Sequence, residues 1–248
     1  MLHLKDIDTR APQDIDKSKT KDETEKLLEG LSDLQNLLYA SSDHAVLVVL
    51  QGLDASGKDG LIRKVFSRMN PQGVQVQSFK VPTEEEMKHD FLWRIHQHAP
   101  AKGMIQLFNR SHYEDVLVTR VHGWCDDKTA KERFDAINHF EELLTKHNAT
   151  TILKFYLHIS KEEQDSRLQE RLDDATKRWK YNEKDEEEAK LWDSYRKMYE
   201  DVFENCNEVP WSIIPSDQNW YKEHLIAKKV SETLQDLKLK FPGLKGSK

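Results

Sequence analysis

Val46-Leu-Val-Val-Leu-Gln-Gly52-Leu-Asp-Ala-Ser-Gly57-Lys58-Asp59-Gly60 joins a valine-rich apolar run to a glycine loop and a lysine. Leu61, Ile62, Val65, Phe66 and Met69 follow at helical spacing, so the loop feeds directly into a helix. Buried strand, glycine-rich turn and helix, in that order, form the context of a phosphate-binding P-loop. Gly52 and Gly57 let the backbone curl, so that the N–H groups around Ala55, Ser56, Gly57, Lys58, Asp59 and Gly60 face an anion. The start of the helix adds the positive end of its dipole. Lys58 supplies a mobile cation for a terminal phosphate. The pattern G-x-x-x-x-G-K-[ST] is met everywhere but at its last position, where Asp59 replaces the hydroxyl. The competing reading is a tight strand–helix turn with a surface lysine.

A chain of 248 residues can hold one large α/β domain or two small ones. A formal net charge of −6 argues against non-specific nucleic-acid binding. An anionic ligand must then be met by a local basic groove. Cys125 and Cys206 have no metal or redox spacing, which suits a reduced, cytoplasmic setting. The N-terminus lacks the pattern of a signal peptide. No run reaches the roughly 18 apolar residues of a membrane span.

Working outward, residues 1–20 show no period and read as a flexible arm ahead of a single domain over 21–248. Leu27, Leu31, Leu34 and Leu38 mark an amphipathic helix over about 22–39. Strands are expected at 45–50, 74–79, 104–108, 150–157 and 211–215. Helices are expected from 58 to the Asn70-Pro-Gln-Gly73 turn, and over 83–98, 127–147, 184–205 and 218–239, with another opened by Ser160. Thr83-Glu-Glu-Glu86 has capping-box spacing. Strands alternating with helices indicate a parallel sheet covered on both faces. Residues 173–190 are almost all charge around Trp179 and Tyr181. They read either as a lid or as a solvated hairpin.

The third strand runs into Phe108-Asn109-Arg110-Ser111-His112-Tyr113-Glu114-Asp115. Asn109 stands where many P-loop proteins carry a magnesium-holding aspartate. Arg110, at a strand end, is placed to face phosphates. Glu114 has two readings, because Ser111-x-x-Glu114 is itself a capping box. Asp54, inside the glycine loop, would repel phosphate unless a cation lay between them. It therefore implies a divalent metal, and magnesium suits oxygen ligands. His96 and His98 have no third partner and are assigned no metal.

The segments Gly52–Gly60, Asn70–Gly73, Phe108–Asp115 and Lys177-Arg-Trp-Lys180 together resemble the family-2 polyphosphate kinases. The motifs occur in that family's order over about 25–240, and the Asn109–Asp115 segment is most similar to class III. Leu53 and Ser56 are mild departures, standing where methionine and a small residue are common. The resemblance implies a P-loop kinase fold with a five-stranded parallel sheet, helices on both faces and a helical lid. It implies magnesium-dependent, reversible transfer of the terminal phosphoryl group of polyphosphate to AMP and ADP, with GMP and GDP as further acceptors and manganese as an alternative ion. Asp54, Lys58, Arg110, Glu114 and, from the lid, Arg178 are its implied catalytic residues. Asp54, Asp59, Glu114 and Asp115 are the implied metal ligands. Assembly as a dimer or tetramer is also implied, with no nucleic-acid or membrane partner.

The residues fit this chemistry independently. A nucleotide phosphate is already ionised at neutral pH and needs no general base. Catalysis reduces to positioning and charge neutralisation. The rival readings are an ATP-dependent nucleoside monophosphate kinase and a P-loop nucleotide switch.

Overall fold

The computed structural model describes residues 2–243. Five parallel strands form one sheet in the order β2-β3-β1-β4-β5: β1 (Ala45–Gln51), β2 (Val74–Ser78), β3 (Ile105–Asn109), β4 (Thr150–His158) and β5 (Trp211–Pro215). In the middle of the sheet Val48 pairs with both Leu107 and Leu153. Every residue of β1 is buried, as its apolar run requires of a central parallel strand.

Alternate side chains of β1 feed two different layers. Leu47 and Val49 join an aromatic-rich layer with Phe108, Tyr113, Tyr156, Tyr199 and Phe203. Helices α5 (Asp127–Asn148) and α8 (Trp192–Asn205) supply much of that layer. Val46, Val48 and Leu50 point the other way, into an aliphatic layer. It is closed by α1 (Lys17–Ser41), α2 (Lys58–Val65) and α9 (Asn219–Asp236). The fold is thus the α/β P-loop kinase architecture that the sequence implies. The chain crosses from β3 to β4 on opposite sides of β1, so the carboxyl ends of β1 and β3 flank the crevice where such sheets bind ligands. Among the described residues no helix is long and apolar enough to cross a membrane.

Three local expectations are corrected. The arm over 1–20 is not loose where the structure describes it; Met1 lies outside the described residues. Leu4 is fully buried in the aromatic layer, and its amide donates to Glu200 Oε1 at 2.8 Å. The Asp217 amide donates to the Thr9 carbonyl at 3.0 Å, and the Ala11 amide donates to Gln218 Oε1 at 2.9 Å. Asp16 then caps α1 through the Lys19 amide.

The helix over 83–98 is replaced by a single 3-10 turn at Glu86–Lys88 and the short α3 (Trp93–His96). The capping box does form: Thr83 N donates to Glu86 Oε2 and Glu86 N donates to Thr83 Oγ1. Asp90 then accepts from the Leu92 amide at 2.9 Å. This side-chain turn competes with helix propagation.

The long helix over 184–205 is two helices, α7 (Glu183–Lys190) and α8, broken at Leu191. Between α6 (Lys161–Asp173) and α7 the chain makes one 3-10 turn at Arg178–Lys180. The remaining short helix, α4 (Val118–Val121), follows the β3 motif.

Candidate active site

The loop after β1 holds Gly52 at φ 150°, Ala55 at 63° and Gly57 at 92°. A Cβ on Gly52 would meet Ser56 Oγ at 2.8 Å and the Leu157 carbonyl at 2.9 Å, so only glycine fits. Helix α2 starts at Lys58, with Gly57 as its N-cap. The buried Lys58 ammonium donates to the carbonyl of Gly52 at 2.8 Å and to that of Leu53 at 3.3 Å. Burial and then the Arg110 charge lower its pKa to about 8, against the pull of Asp54, Glu114 and Asp59.

The end of β3 is tied to the two flanks of this loop, β1 and the start of α2, at three points. The Arg110 amide donates to the Leu50 carbonyl at 3.1 Å. Asn109 Nδ2 donates to Asp59 Oδ1 at 2.9 Å. Gln51 Nε2 donates to Ser111 Oγ at 3.0 Å. Arg110 itself turns at φ 62° and swings its guanidinium over the loop. There Nη2 meets Asp54 Oδ1 at 2.5 Å and Nη1 meets Glu114 Oε2 at 3.4 Å. Glu114 first, and Asp54 after it, raise the Arg110 pKa against its burial, so the guanidinium stays charged. Burial pushes Asp54 up, but Arg110, Lys58 and Arg171 outweigh it and hold the carboxylate ionised.

Glu114 is not a helix cap. Ser111 Oγ accepts from the Tyr113 amide, and only a four-residue 3-10 turn, His112–Asp115, follows. With no α-helix to cap, the Glu114 carboxylate faces Arg110 and the cleft, which Leu117, Tyr195 and Tyr199 also line.

Asp59 is exposed and sits between Asn109 and Lys180, whose Nζ lies 3.1 Å from Oδ2. Partial desolvation pushes its pKa up, but these two donors outweigh it and hold the carboxylate ionised. Lys180 is therefore the residue of the 173–190 segment that reaches the start of α2. Arg178 stays exposed and spends its Nε on the Leu172 carbonyl at 2.9 Å. The structure does not bring it to the other implied catalytic residues.

The four implied metal ligands do not converge. Among the described residues no group of three or more His, Cys, Asp or Glu side chains could hold a metal ion. Asp115 turns toward Arg94, 3.6 Å away, and burial raises its pKa. Its own carbonyl accepts from Arg133 Nη1 at 2.6 Å. Asp54 and Asp59, ionised oxygen donors at the rim of an amide loop, do fit magnesium. That ion is commonly held by one or two carboxylates plus substrate phosphates.

Sequence reasoning missed the residues that hold the loop from outside. Tyr199 OH accepts from the Gly52 amide at 3.2 Å and donates to Gln51 Oε1 at 3.1 Å. Gln164 Nε2 donates to the Asp54 carbonyl at 3.1 Å. Arg167 and Lys222 grip the carbonyls on the far side. One signal was available: Lys222 leads the buried row Lys222, Ile226, Val230, Leu234 on α9, a cation on a core face.

A glycine loop opening a helix, two cations and neighbouring carboxylates, with no general base among them, suit phosphoryl transfer between pre-ionised groups; within the loop the Ser56 amide, expected to face an anion, instead bonds the Leu53 carbonyl. The comparisons agree with that chemistry. A family model described as polyphosphate kinase 2 matches residues 14–242. An AMP/ADP-polyphosphate phosphotransferase of Meiothermus ruber is 50% identical over 214 residues, 86% of this chain and 80% of that protein. An ADP-polyphosphate phosphotransferase of Rhodopseudomonas palustris is 42% identical over 229 residues, 87% of this chain and 79% of that protein. The crystal structure of polyphosphate kinase 2 from Arthrobacter aurescens superposes with a TM-score of 0.95 at 39% identity, covering 100% of this chain and 90% of that one. A match this long, carried by the same loop and the same β3 motif that build the cleft, means that the chain belongs to the polyphosphate kinase 2 family.

Proposed function

We propose that this enzyme transfers the terminal phosphoryl group of inorganic polyphosphate to AMP and ADP, reversibly, and to the guanine nucleotides as well. The observation that carries this reading is Arg110, which joins Asp54 of the loop to Glu114 of the β3 motif across the cleft. The 50% identical relative is itself named for both adenine acceptors.

In this reading the loop amides and Lys58 hold the phosphate chain at its reacting end. An acceptor phosphate oxygen attacks the terminal phosphorus while the bond to the next bridging oxygen breaks. Lys58 and Arg110 neutralise the charge that spreads over the transferring group. Arg178 joins them when the lid closes. Asp54 and Asp59 would hold magnesium, which supplies charge neutralisation and orients the phosphates. Glu114 assists by fixing Arg110 and the acceptor. We extend the reading to a cytoplasmic assembly of two or four copies, on the family resemblance alone.

The test is Lys58→Ala, assayed with ADP and long-chain polyphosphate as sole donor. Loss of such a contact costs roughly 3–4 kcal/mol of barrier, or about 100- to 1,000-fold in rate. A variant keeping more than half of normal activity removes the loop from the chemistry.

A further inference from the structure

Arg167 projects from α6 behind the phosphate loop. Its Nε donates to Glu163 Oε1 at 2.7 Å. Its Nη1 donates to the carbonyls of Ala55 and Ser56, both at 3.1 Å. Its Nη2 donates to the carbonyls of Ser216 and Asp217, at 2.7 and 3.0 Å. A guanidinium has five N–H donors, and all five are engaged. Arg167 therefore has nothing left to offer a substrate. What it does is fasten the loop to the segment that follows β5.

Lys222 reaches the same place from α9. Its buried ammonium donates to the Ser56 carbonyl at 3.0 Å. It also fills the space beside Gly57, where a Cβ would run into Nζ. The Ser56 carbonyl thus accepts from two cations at once. In a trans peptide the C=O and the following N–H point in opposite directions. Holding the Ser56 carbonyl outward aims the Gly57 N–H inward, toward the anion cradle. A charged donor on the carbonyl also polarises the peptide and strengthens that N–H as a donor. The neighbouring Ser56 amide is already spent on the Leu53 carbonyl at 3.1 Å, so of these two amides it is the Gly57 N–H that is left to face an anion.

We propose that Arg167 and Lys222 are positioning residues for phosphoryl transfer: from behind the loop they fix and polarise the Ser56–Gly57 peptide, so that its N–H grips the phosphate chain. This rests on the reading that the loop holds that chain. A purely structural lysine here would be a poor choice. Burying an ammonium costs stability, whereas a methionine of similar shape would not. Arg167 alone already satisfies the carbonyl. The site therefore carries a second cation that folding does not need.

The test uses tripolyphosphate binding by calorimetry, turnover of ADP with polyphosphate, and melting temperature, on wild type, Lys222→Met, Arg167→Met and Leu31→Ala. Leu31 is a buried control in the α1–α9 packing. Lys222→Met is expected to melt at or above the wild-type temperature, yet bind tripolyphosphate about tenfold more weakly, the scale of one lost charge-assisted hydrogen bond. Arg167→Met is expected to lose at least as much affinity and turnover. Leu31→Ala should melt lower with unchanged affinity. Wild-type affinity in Lys222→Met overturns the proposal, even if Arg167→Met fails to fold. An affinity loss in Leu31→Ala as large as in Lys222→Met overturns it too, since the effect would then follow stability. If wild type itself neither binds tripolyphosphate nor turns over, the reading of the loop falls and this inference with it.

Discussion

Arg110 Nη2 and Asp54 Oδ1 form a 2.5 Å ion pair across the cleft, so the strongest cation of the site is already matched before any phosphate arrives. A phosphate chain must share Arg110 with Asp54, and a divalent ion bound by Asp54 relieves that competition. Asp54→Asn should therefore bind tripolyphosphate in the absence of metal at least as tightly as wild type. Its magnesium-dependent turnover should fall by roughly 100-fold or more, as for other lost electrostatic contacts to a transition state. Calorimetry in chelator and a coupled ATP assay check both halves. Turnover near the wild-type value would detach Asp54 from metal binding.

Glu114→Gln should cost little stability, because the carboxylate caps no helix and meets only Arg110, at 3.4 Å. Activity should drop about tenfold, the value of one weakened ionic contact in the reacting complex. AMP should suffer more than ADP, following the class III resemblance. Rates with each acceptor and a melting curve on one preparation decide this. Full activity with both acceptors would leave the residue without a role in the cleft.

The 173–190 segment holds two basic residues, two positions apart, in different surroundings. Lys180 bridges to Asp59, whereas Arg178 is exposed. On the proposal that Arg178 meets phosphate on closure, Arg178→Ala should lower kcat about tenfold with an unchanged melting temperature. Lys180→Ala should raise the KM for polyphosphate more than it lowers kcat. Steady-state kinetics at saturating substrate read both; an unchanged kcat in Arg178→Ala would make residues 173–190 a solvated hairpin.

Two buried lysines give a pH dependence of definite sign. Lys222 is lowered to about 7 by burial and then by Arg167, and Lys58 to about 8. The unfolded chain holds both protons up to the ordinary lysine range, so it binds more protons than the folded chain between about pH 7 and pH 10. Stability therefore rises with pH through this window. Lys222→Met should be more stable than wild type at pH 6, with an advantage that shrinks toward pH 10. Parallel melting curves test it; a constant difference across that range would contradict it. For catalysis the sign reverses: kcat/KM for polyphosphate should fall as pH rises past about 7 to 8, as first Lys222 and then Lys58 lose their charge.

The phosphate loop was legible because its signal is local: a buried strand, glycines needed at positive φ and a lysine, all within fifteen positions. The five strands were legible for the same reason, as short apolar runs between helical periods. Residues 83–98 were not, because the Asp90 turn ends a pattern whose capping box is real. The anchored N-terminal segment was illegible because the partner of Leu4, Glu200, lies 196 positions away. Asp115 was implied as a metal ligand by the family resemblance, and only the position of Arg94, distant in sequence, turns it aside. Arg167 and Lys222 act through contacts with sequence separations of more than 100 residues, which no local pattern carries.

Polyphosphate, not a nucleoside triphosphate, is the phosphoryl donor in the proposed reaction. The most direct measurement follows AMP by chromatography in two matched reactions with magnesium, one given long-chain polyphosphate and the other ATP. With polyphosphate, ADP should appear first and ATP after it, and chelation of the metal should stop both. Formation of ADP only in the ATP reaction, with polyphosphate inert, would contradict the account and make this chain a nucleoside monophosphate kinase.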